Sequence, residues 1–226
     1  MVSRVSGRKR GLTALCIILL ILVIDQALKI WVKTHFYLGE SHEVCSWFYI
    51  AFIQNNGMAF GWEIGSKLLL TLLRIVTVIF LIYYLYRIAG KSQARTGYLV
   101  CLSLIIAGAL GNIIDCAFYG LIFDNPHPPF VAQLFPPEGG YGTFLHGRVV
   151  DMLYFPIVSW TWPAWMPLVG GEYFLFFSPV FNFADAAISV GLIWLIIFYS
   201  SQISEVPFLR DFKRFATKKT GNADND

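Results

Sequence analysis

Four long runs of apolar residues divide this sequence, and the segments between them mix polar, charged and aromatic residues. The runs cover residues 12–32, 67–88, 98–119 and 181–199. A hydrocarbon core of about 30 Å needs about 20 helical residues to cross it, so each run has roughly the length of a transmembrane helix. None of them shows the strict alternation of a membrane-spanning β-strand. The pattern therefore predicts an all-α membrane protein with four transmembrane helices in one integral domain.

The composition agrees with a membrane protein and argues against a nucleic-acid partner. Of the 226 residues, 57% are hydrophobic and 14% are charged, whereas a soluble domain carries about 25% charged residues. The net charge of +3 is too small for a nucleic-acid surface. The first run follows a basic start, as in a signal peptide, but it continues into "DQALKIWVK" without a small-residue cleavage site. We therefore expect this helix to be retained.

The distribution of lysine and arginine predicts how the helices are oriented. Basic residues concentrate in the tail 1–11, in the short loop after the second run, and in the tail 201–226. Short loops rich in lysine and arginine remain on the cytoplasmic side of a membrane. Both termini are therefore expected in the cytoplasm. The segments 34–65 and 120–180 are expected on the outer side, where their aromatic residues would lie on the headgroup layer.

Three acidic residues interrupt the apolar runs near the outward ends of three different helices. They are Asp25, Asp115 and Asp185, although a carboxylate at the centre of a membrane helix costs roughly 2.5–3.5 kcal/mol. Lys29 follows Asp25 by four residues, which places the two on one helix face as a predicted ion pair. Asp185 lies four residues into the fourth run, about 6 Å below its end. This convergence indicates a polar site just below the outer surface.

Polar residues in the third and fourth runs also share helix faces. On the third run, one stripe contains small residues that allow close packing of a neighbouring helix. This stripe consists of Gly108, Gly111, Asn112 and Asp115. Asn182 and Asp185 share a face on the fourth run because they are three residues apart. The stretch "FLHGRVVDMLYF" delivers Asp151 from the outer segment, and its glycine suggests a turn that packs Asp151 against the membrane surface.

Asp151 and Asp185 each stand directly among apolar residues, which is the pattern of a catalytic carboxylate pair. Two close carboxylates share one proton, so the ionised group can accept a proton from water while the other polarises a carbonyl. No HExxH or GxSxG stretch is present, so the pattern favours peptide hydrolysis without a metal or cofactor. A small membrane transporter or a proton-coupled assembly factor stays open, because both use intramembrane carboxylates.

Five short blocks follow one another along the chain. They are "DQALK" (25–29), "NNGMAFG" (55–61), "GALGNIID" (108–115), "GRVVDM" (147–152) and "FNFADAAI" (181–188). In this order they resemble the patterns DQxxK, NxGxAF, GNxIDR, GxVVDF and FNxAD of bacterial lipoprotein signal peptidase, signal peptidase II. The resemblance implies an aspartyl endopeptidase of the bacterial inner membrane. Its implied substrate is a diacylglyceryl-modified prolipoprotein, cut just before the lipidated cysteine.

The resemblance also implies a role for each matching residue. Asp151 and Asp185 match the catalytic aspartates, and Asp25 and Lys29 match positions that are structural or face the substrate. Positions implied to hold or position the substrate or its loop are Asn55, Gly57, Asn112, Asp115 and Asn182. The family fold adds a small extracytoplasmic β-cradle, supplied mostly by 34–65, and a short surface helix. Membrane lipid and prolipoproteins are the expected partners of a monomer.

The sequence departs from the family pattern at one residue and in two segments. Cys116 stands where the family has an arginine after the aspartate, and Arg148 is a hypothetical substitute that would contact the substrate. The segments near 124–143 and 158–174 look like insertions. Their proline, glycine and aromatic residues suggest loops that lie on the outer leaflet.

Overall fold

The computed structural model describes residues 2–55, 67–90 and 95–204. The helices are α1 (Val2–His35), α2 (Lys67–Ala89), α3 (Thr96–Ile114), α4 (Gly120–Ile122) and α5 (Phe183–Ser204), and a π-helical turn (Asp115–Tyr119) joins α3 to α4. Within these described ranges, four stretches are long and apolar enough to cross a membrane: Gly7–His35, Lys67–Ala89, Thr96–Ile122 and Phe183–Gln202. The four predicted apolar helices are therefore confirmed in number and approximate position.

Two antiparallel sheets accompany the helices. The strands are β1 (Ser41–Cys45), β2 (Phe48–Asn55), β3 (Val149–Tyr154), β4 (Val158–Thr161), β5 (Tyr173–Phe176) and β6 (Val180–Phe181). One sheet has the order β1-β2-β3-β6, and β4 and β5 form a separate hairpin. The larger sheet agrees with the predicted cradle, and the segment 34–65 supplies two of its four strands. The predicted combination of four apolar helices with a small β-sheet is therefore present.

Two details differ from the sequence prediction. The fourth membrane helix begins at Phe183 rather than at residue 181, because Val180 and Phe181 pair with β3 as an edge strand. Asp185 consequently lies about 3 Å along the helix from its start. The surface helix implied by the family resemblance is not found as a separate element within the three described ranges.

α3 is the central helix of the bundle. In its apolar stretch 61% of the residues are buried, against 11%, 17% and 22% in the other three spans. Glycines allow neighbours to approach it closely: a Cβ at Gly108 would collide with the carbonyl oxygen of Ala184 in α5. A Cβ at Gly111 would lie 2.5 Å from Asp25 Oδ2 in α1. The predicted small-residue stripe is therefore the surface on which α1 and α5 meet α3.

The larger sheet packs one face on the ends of α1 and α3. A buried apolar cluster fills this junction and consists of Val32, Phe36, Phe52, Tyr119, Phe123, Ala132, Val150 and Met152. Since side chains alternate along a strand, Asp151 points away from the cluster while its neighbours Val150 and Met152 point into it. The sheet thus places Asp151 on the face opposite to this apolar cluster.

The hairpin of β4 and β5 accounts for most of the second predicted insertion. Trp160, Trp162 and Phe174 pack their rings together, with centroids 4.5–6.0 Å apart. The connecting turn exposes Trp165 by 80% and Leu168 fully, and Glu172 is the one charged residue between 152 and 184. The insertion therefore folds as an apolar hairpin, although a loop was predicted.

Candidate active site

The pairing of β3 with β6 brings Asp151 beside the beginning of α5. Leu153 in β3 pairs with Phe181 in β6, and α5 begins at Phe183. Because the two strands are antiparallel, Asp151, which precedes Leu153 by two residues, lies next to the start of the helix. Asp185 belongs to the first turn of α5. The strand register therefore gathers the two predicted catalytic residues at one end of the bundle.

A reciprocal cap holds the Asp185 carboxylate. The backbone N–H of Asp185 donates to Asn182 Oδ1 (2.9 Å), and the backbone N–H of Asn182 donates to Asp185 Oδ2 (3.5 Å). This is the arrangement of a capping box, with asparagine and aspartate in place of serine and glutamate. A helix N-terminus also favours negative charge. The spacing of Asn182 and Asp185 thus caps the start of α5 and also forms part of the site. This capping role was not predicted from the sequence.

Asparagine side chains connect the two carboxylates. Asn182 Nδ2 donates to Asp151 Oδ1 (2.7 Å) and to Asn112 Oδ1 (3.2 Å). Asn112 Nδ2 in turn donates to Asp185 Oδ1 (2.8 Å). On the other side, Asn55 Nδ2 donates to Asp151 Oδ2 (3.1 Å). Three of the residues predicted to hold the substrate therefore contact the aspartates directly, and their amides orient the carboxylate oxygens.

Asp151 is the more buried member of the pair. Its exposed fraction is 3%, whereas Asp185 is half-buried. Burial, and secondly the negative charge of Asp185, raise the pKa of Asp151 to about 7, against the opposing effect of the hydrogen bonds from Asn55 and Asn182. Near neutral pH the Asp151 carboxyl therefore holds a proton for a large fraction of the time, as a general acid must.

A buried ion cluster lies directly behind the pair. Lys29 Nζ contacts Asp25 Oδ2 at 2.9 Å and Asp115 Oδ2 at 2.8 Å, and all three side chains are at most 1% exposed. Lys29 also donates to Asn112 Oδ1 (3.0 Å), which ties the cluster to the asparagine bridge. The predicted pairing of Asp25 with Lys29 is therefore confirmed, and Asp115 is its third member. Within the described ranges, no group of three or more His, Cys, Asp or Glu side chains could hold a metal ion.

The two carboxylates of this cluster also fix the backbone next to each candidate catalytic residue. Asp25 Oδ1 accepts the N–H of Ala184 (2.9 Å), the residue before Asp185. Asp115 Oδ2 accepts the N–H of Val150 (3.3 Å), the residue before Asp151. Lys29 therefore acts on both aspartates indirectly. It contacts the carboxylates of Asp25 and Asp115, and each of these accepts the backbone N–H of the residue before one of the two aspartates. This geometry implies that Asp25, Lys29 and Asp115 position the two aspartates.

The glycine of "GRVVDM" allows the chain to pass against the π-helical turn. The N–H of Gly147 donates to the carbonyl oxygen of Cys116 (2.8 Å). A Cβ at Gly147 would collide with the carbonyl oxygen of Asp115. The predicted turn that packs Asp151 back on the bundle is therefore present, and Cys116 takes part in it through its backbone while its side chain is buried.

Arg148 is a predicted substrate contact that lies away from the two aspartates. Arg148 Nη1 donates to Gln54 Oε1 (2.9 Å) and Asn125 Oδ1 (3.0 Å), on the face of the sheet opposite to Asp151. The prediction that Arg148 contacts the substrate stays a prediction. Gly57 lies outside the described residues.

Comparison with known proteins agrees with the arrangement of this site. A family model described as signal peptidase (SPase) II matches residues 17–201. The lipoprotein signal peptidase of Porphyromonas gingivalis is 53% identical over 204 residues, covering 90% of each chain. The lipoprotein signal peptidase of Amoebophilus asiaticus is 36% identical over 187 residues, which cover 80% of this chain and 75% of the Amoebophilus chain.

The fold is also similar to that of a solved protein. A structure described as a bacterial membrane enzyme, determined at 1.9 Å by the in meso method, is 26% identical to this chain. The match covers 82% of this chain and 90% of the chain in that structure, with a TM-score of 0.54. The resemblance of the five sequence blocks is therefore supported over most of the chain. This chain belongs to the signal peptidase II family.

Proposed function

We propose that this protein removes signal peptides from diacylglyceryl-modified prolipoproteins, by cleaving just before the lipidated cysteine. The observation that carries the proposal is the pair Asp151 and Asp185, bridged by Asn112 and Asn182 at the end of the helix bundle. No Lys, Arg or His side chain forms a salt bridge with either aspartate in the described part of the chain. The pair can therefore share a proton instead of serving as two structural anions.

In the proposed mechanism the two aspartates have different roles. Asp185, half-buried at a helix N-terminus, accepts a proton from the attacking water. Asp151, buried and with its pKa raised to about 7, donates its proton towards the carbonyl oxygen of the scissile bond. The tetrahedral intermediate then collapses as Asp185 passes the proton that it took from water to the leaving nitrogen and the C–N bond breaks. A hydroxyl proton of the intermediate returns to Asp151, which restores the starting protonation of the pair.

The position of the site suits a lipid-anchored substrate. Asp185 lies in the first turn of the span Phe183–Gln202, so the pair is near one boundary of the membrane. A diacylglyceryl cysteine also lies at such a boundary, since its acyl chains remain in the lipid. We further propose that this boundary is the outer surface of the inner membrane, with both termini in the cytoplasm. The predicted monomer stays a prediction.

Cleavage of a purified diacylglyceryl-modified prolipoprotein in detergent would test the proposal. We expect mass spectrometry to find a product that begins at the lipidated cysteine, and we expect EDTA to leave the rate unchanged. The matched control is the same prolipoprotein without its diacylglyceryl group, which should be cleaved far more slowly. If folded protein left the modified substrate intact, the transporter and assembly-factor alternatives would replace the proposal.

The pH dependence of cleavage should reflect the shared proton. We expect kcat/KM to fall as the pH rises above about 7, because Asp151 then loses the proton that it donates. Each further pH unit should lower the rate about tenfold. The measurement is a pH profile with a substrate that carries no titrating group near the cleavage site. A rate that keeps rising to pH 9 would contradict the assignment of Asp151 as the acid.

A further inference from the structure

The insertion hairpin, which we define as residues 158–176, has one apolar face and one face with hydroxyl groups. Cross-strand partners lie on the same face of an antiparallel pair, and the register of β4 and β5 pairs Val158 with Phe176 and Trp160 with Phe174. These four side chains form the apolar face, and each of them is between 36% and 52% exposed. The opposite face carries the hydroxyl groups of Ser159, Thr161 and Tyr173.

This hairpin has little support from the rest of the described protein. Each strand has four residues, and the two strands form a sheet of their own. An isolated two-stranded hairpin is at best marginally stable in water. Of the eight strand residues, only Leu175 is partly buried. Removal of the apolar face from water would therefore stabilise the hairpin.

The turn of the hairpin, residues 163–171, is suited to an apolar environment. It contains no charged residue and no hydroxyl group. The N–H groups of Met166, Gly170 and Gly171 donate to carbonyl oxygens within the hairpin at 2.9–3.0 Å, and the two prolines of the turn carry no N–H. Because lipid offers no partner to a free N–H, this pairing lowers the cost of moving the turn out of water.

The base of the hairpin is fixed beside the start of α5. Phe155 lies three residues before the hairpin, and Phe177 follows it directly. Both contact the ring of Phe181, with centroid distances of 5.7 Å from Phe155 and 5.9 Å from Phe177. Phe181 stands two residues before the membrane span that begins at Phe183. The hairpin therefore leaves the larger sheet close to a membrane boundary.

We propose that the insertion hairpin is a membrane anchor, whose turn and apolar face enter the lipid at this boundary. Tryptophan rings favour the layer between headgroups and acyl chains, and Trp165 is 80% exposed on the turn. Leu168, which is fully exposed, would contact the first acyl carbons. Strands of four residues are only about 13 Å long, so the insertion is shallow. Since Glu172 is the one charged residue between 152 and 184, the contact is apolar and needs no anionic lipid.

Spin labelling of the full chain in phosphatidylcholine liposomes would test this proposal. The accessible cysteines are first removed by Cys16→Ala and Cys45→Ala, while the two buried cysteines remain. A nitroxide is then attached in the Leu168→Cys variant, and power saturation measures its collisions with oxygen, which concentrates in lipid, and with a water-soluble nickel complex. The matched control carries the label in Ser159→Cys, on the hydroxyl face. We expect the oxygen-to-nickel ratio to be several-fold higher at residue 168 than at residue 159, and equal ratios would overturn the proposal.

A charge placed in the turn should move the turn out of the lipid, because a carboxylate is costly there. Trp165→Asp, added to the chain labelled at residue 168, should raise the nickel accessibility to the value measured at residue 159. Thr161→Asp, on the hydroxyl face, should leave it unchanged. If Trp165→Asp does not fold, the comparison of residues 168 and 159 still decides the proposal.

A second copy of the chain is the alternative occupant of the apolar face. In that case the label at residue 168 would be poorly accessible to both reagents, and its accessibility would rise when the protein is diluted in lipid. That result would assign the face to a dimer and overturn the lipid contact. None of these measurements requires cleavage, so their outcome is independent of the catalytic pair.

Discussion

Asn in place of Asp151 or Asp185 is expected to reduce prolipoprotein cleavage by at least about 10³-fold, the usual scale for a lost acid–base catalyst. Asparagine retains the shape of the side chain and can take part in the bridge made by Asn112 and Asn182, but it cannot transfer a proton. The measurement is the initial rate of cleavage in detergent. Glu172→Gln, which neutralises a carboxylate in the β4–β5 hairpin, is the matched control and should cleave at the natural rate.

The same variants should remain folded, so that lost activity cannot be attributed to lost structure. The pKa of Asp151 is raised by folding from its ordinary value near 4 to about 7. The stability that the protonated Asp151 carboxyl adds to the folded state is therefore fully present below pH 4 and is lost as the pH rises through about 7. Because asparagine does not ionise, the Asp151→Asn variant does not lose stability in this way. Its Tm at pH 8 should equal or exceed that of the natural protein. Cleavage retained by either variant would contradict the catalytic pair.

Lys29→Met is expected to lower the free energy of unfolding by about 3–5 kcal/mol. The substitution removes the ammonium between Asp25 and Asp115, which leaves two fully buried carboxylates without a counter-charge. Because these carboxylates accept the N–H groups of Ala184 and Val150, activity should fall together with stability. The measurement is reversible unfolding in mixed micelles, followed by circular dichroism.

Two further variants test whether the loss of stability is specific to the ion cluster or follows from the removal of any positive charge. Lys67→Met removes a cation at the start of α2 that donates to the carbonyl oxygen of His146 and forms no salt bridge with another described residue, so its effect should be within about 0.5 kcal/mol. Adding Asp25→Asn and Asp115→Asn to Lys29→Met should recover part of the loss, because a neutral buried group replaces an uncompensated charge. Natural stability in the single Lys29→Met variant would show that the cluster does not support the fold.

Several features of this protein could be predicted from the sequence because they depend on near neighbours in the chain. The membrane helices follow from the length and hydropathy of single segments. The pair of Asp25 and Lys29 follows from a spacing of four residues on one helix, and the glycine stripe follows from the same periodicity. The candidate catalytic residues were found because each lies in a short block with a recognisable pattern.

The tertiary structure decided how these blocks combine, since their contacts join residues that are far apart in the chain. Asn112 and Asp185 are 73 residues apart, and Asn55 and Asp151 are 96 apart. Asp115 joins Lys29 through helix packing, and the pairing of β3 with β6 sets both the start of α5 and the distance between the aspartates. Arg148, the residue before β3, contacts Gln54 and the Tyr141 ring on the face with Lys33 and not with Asp151. Strand register and helix contact depend on the whole fold, and no local pattern in the sequence determines them.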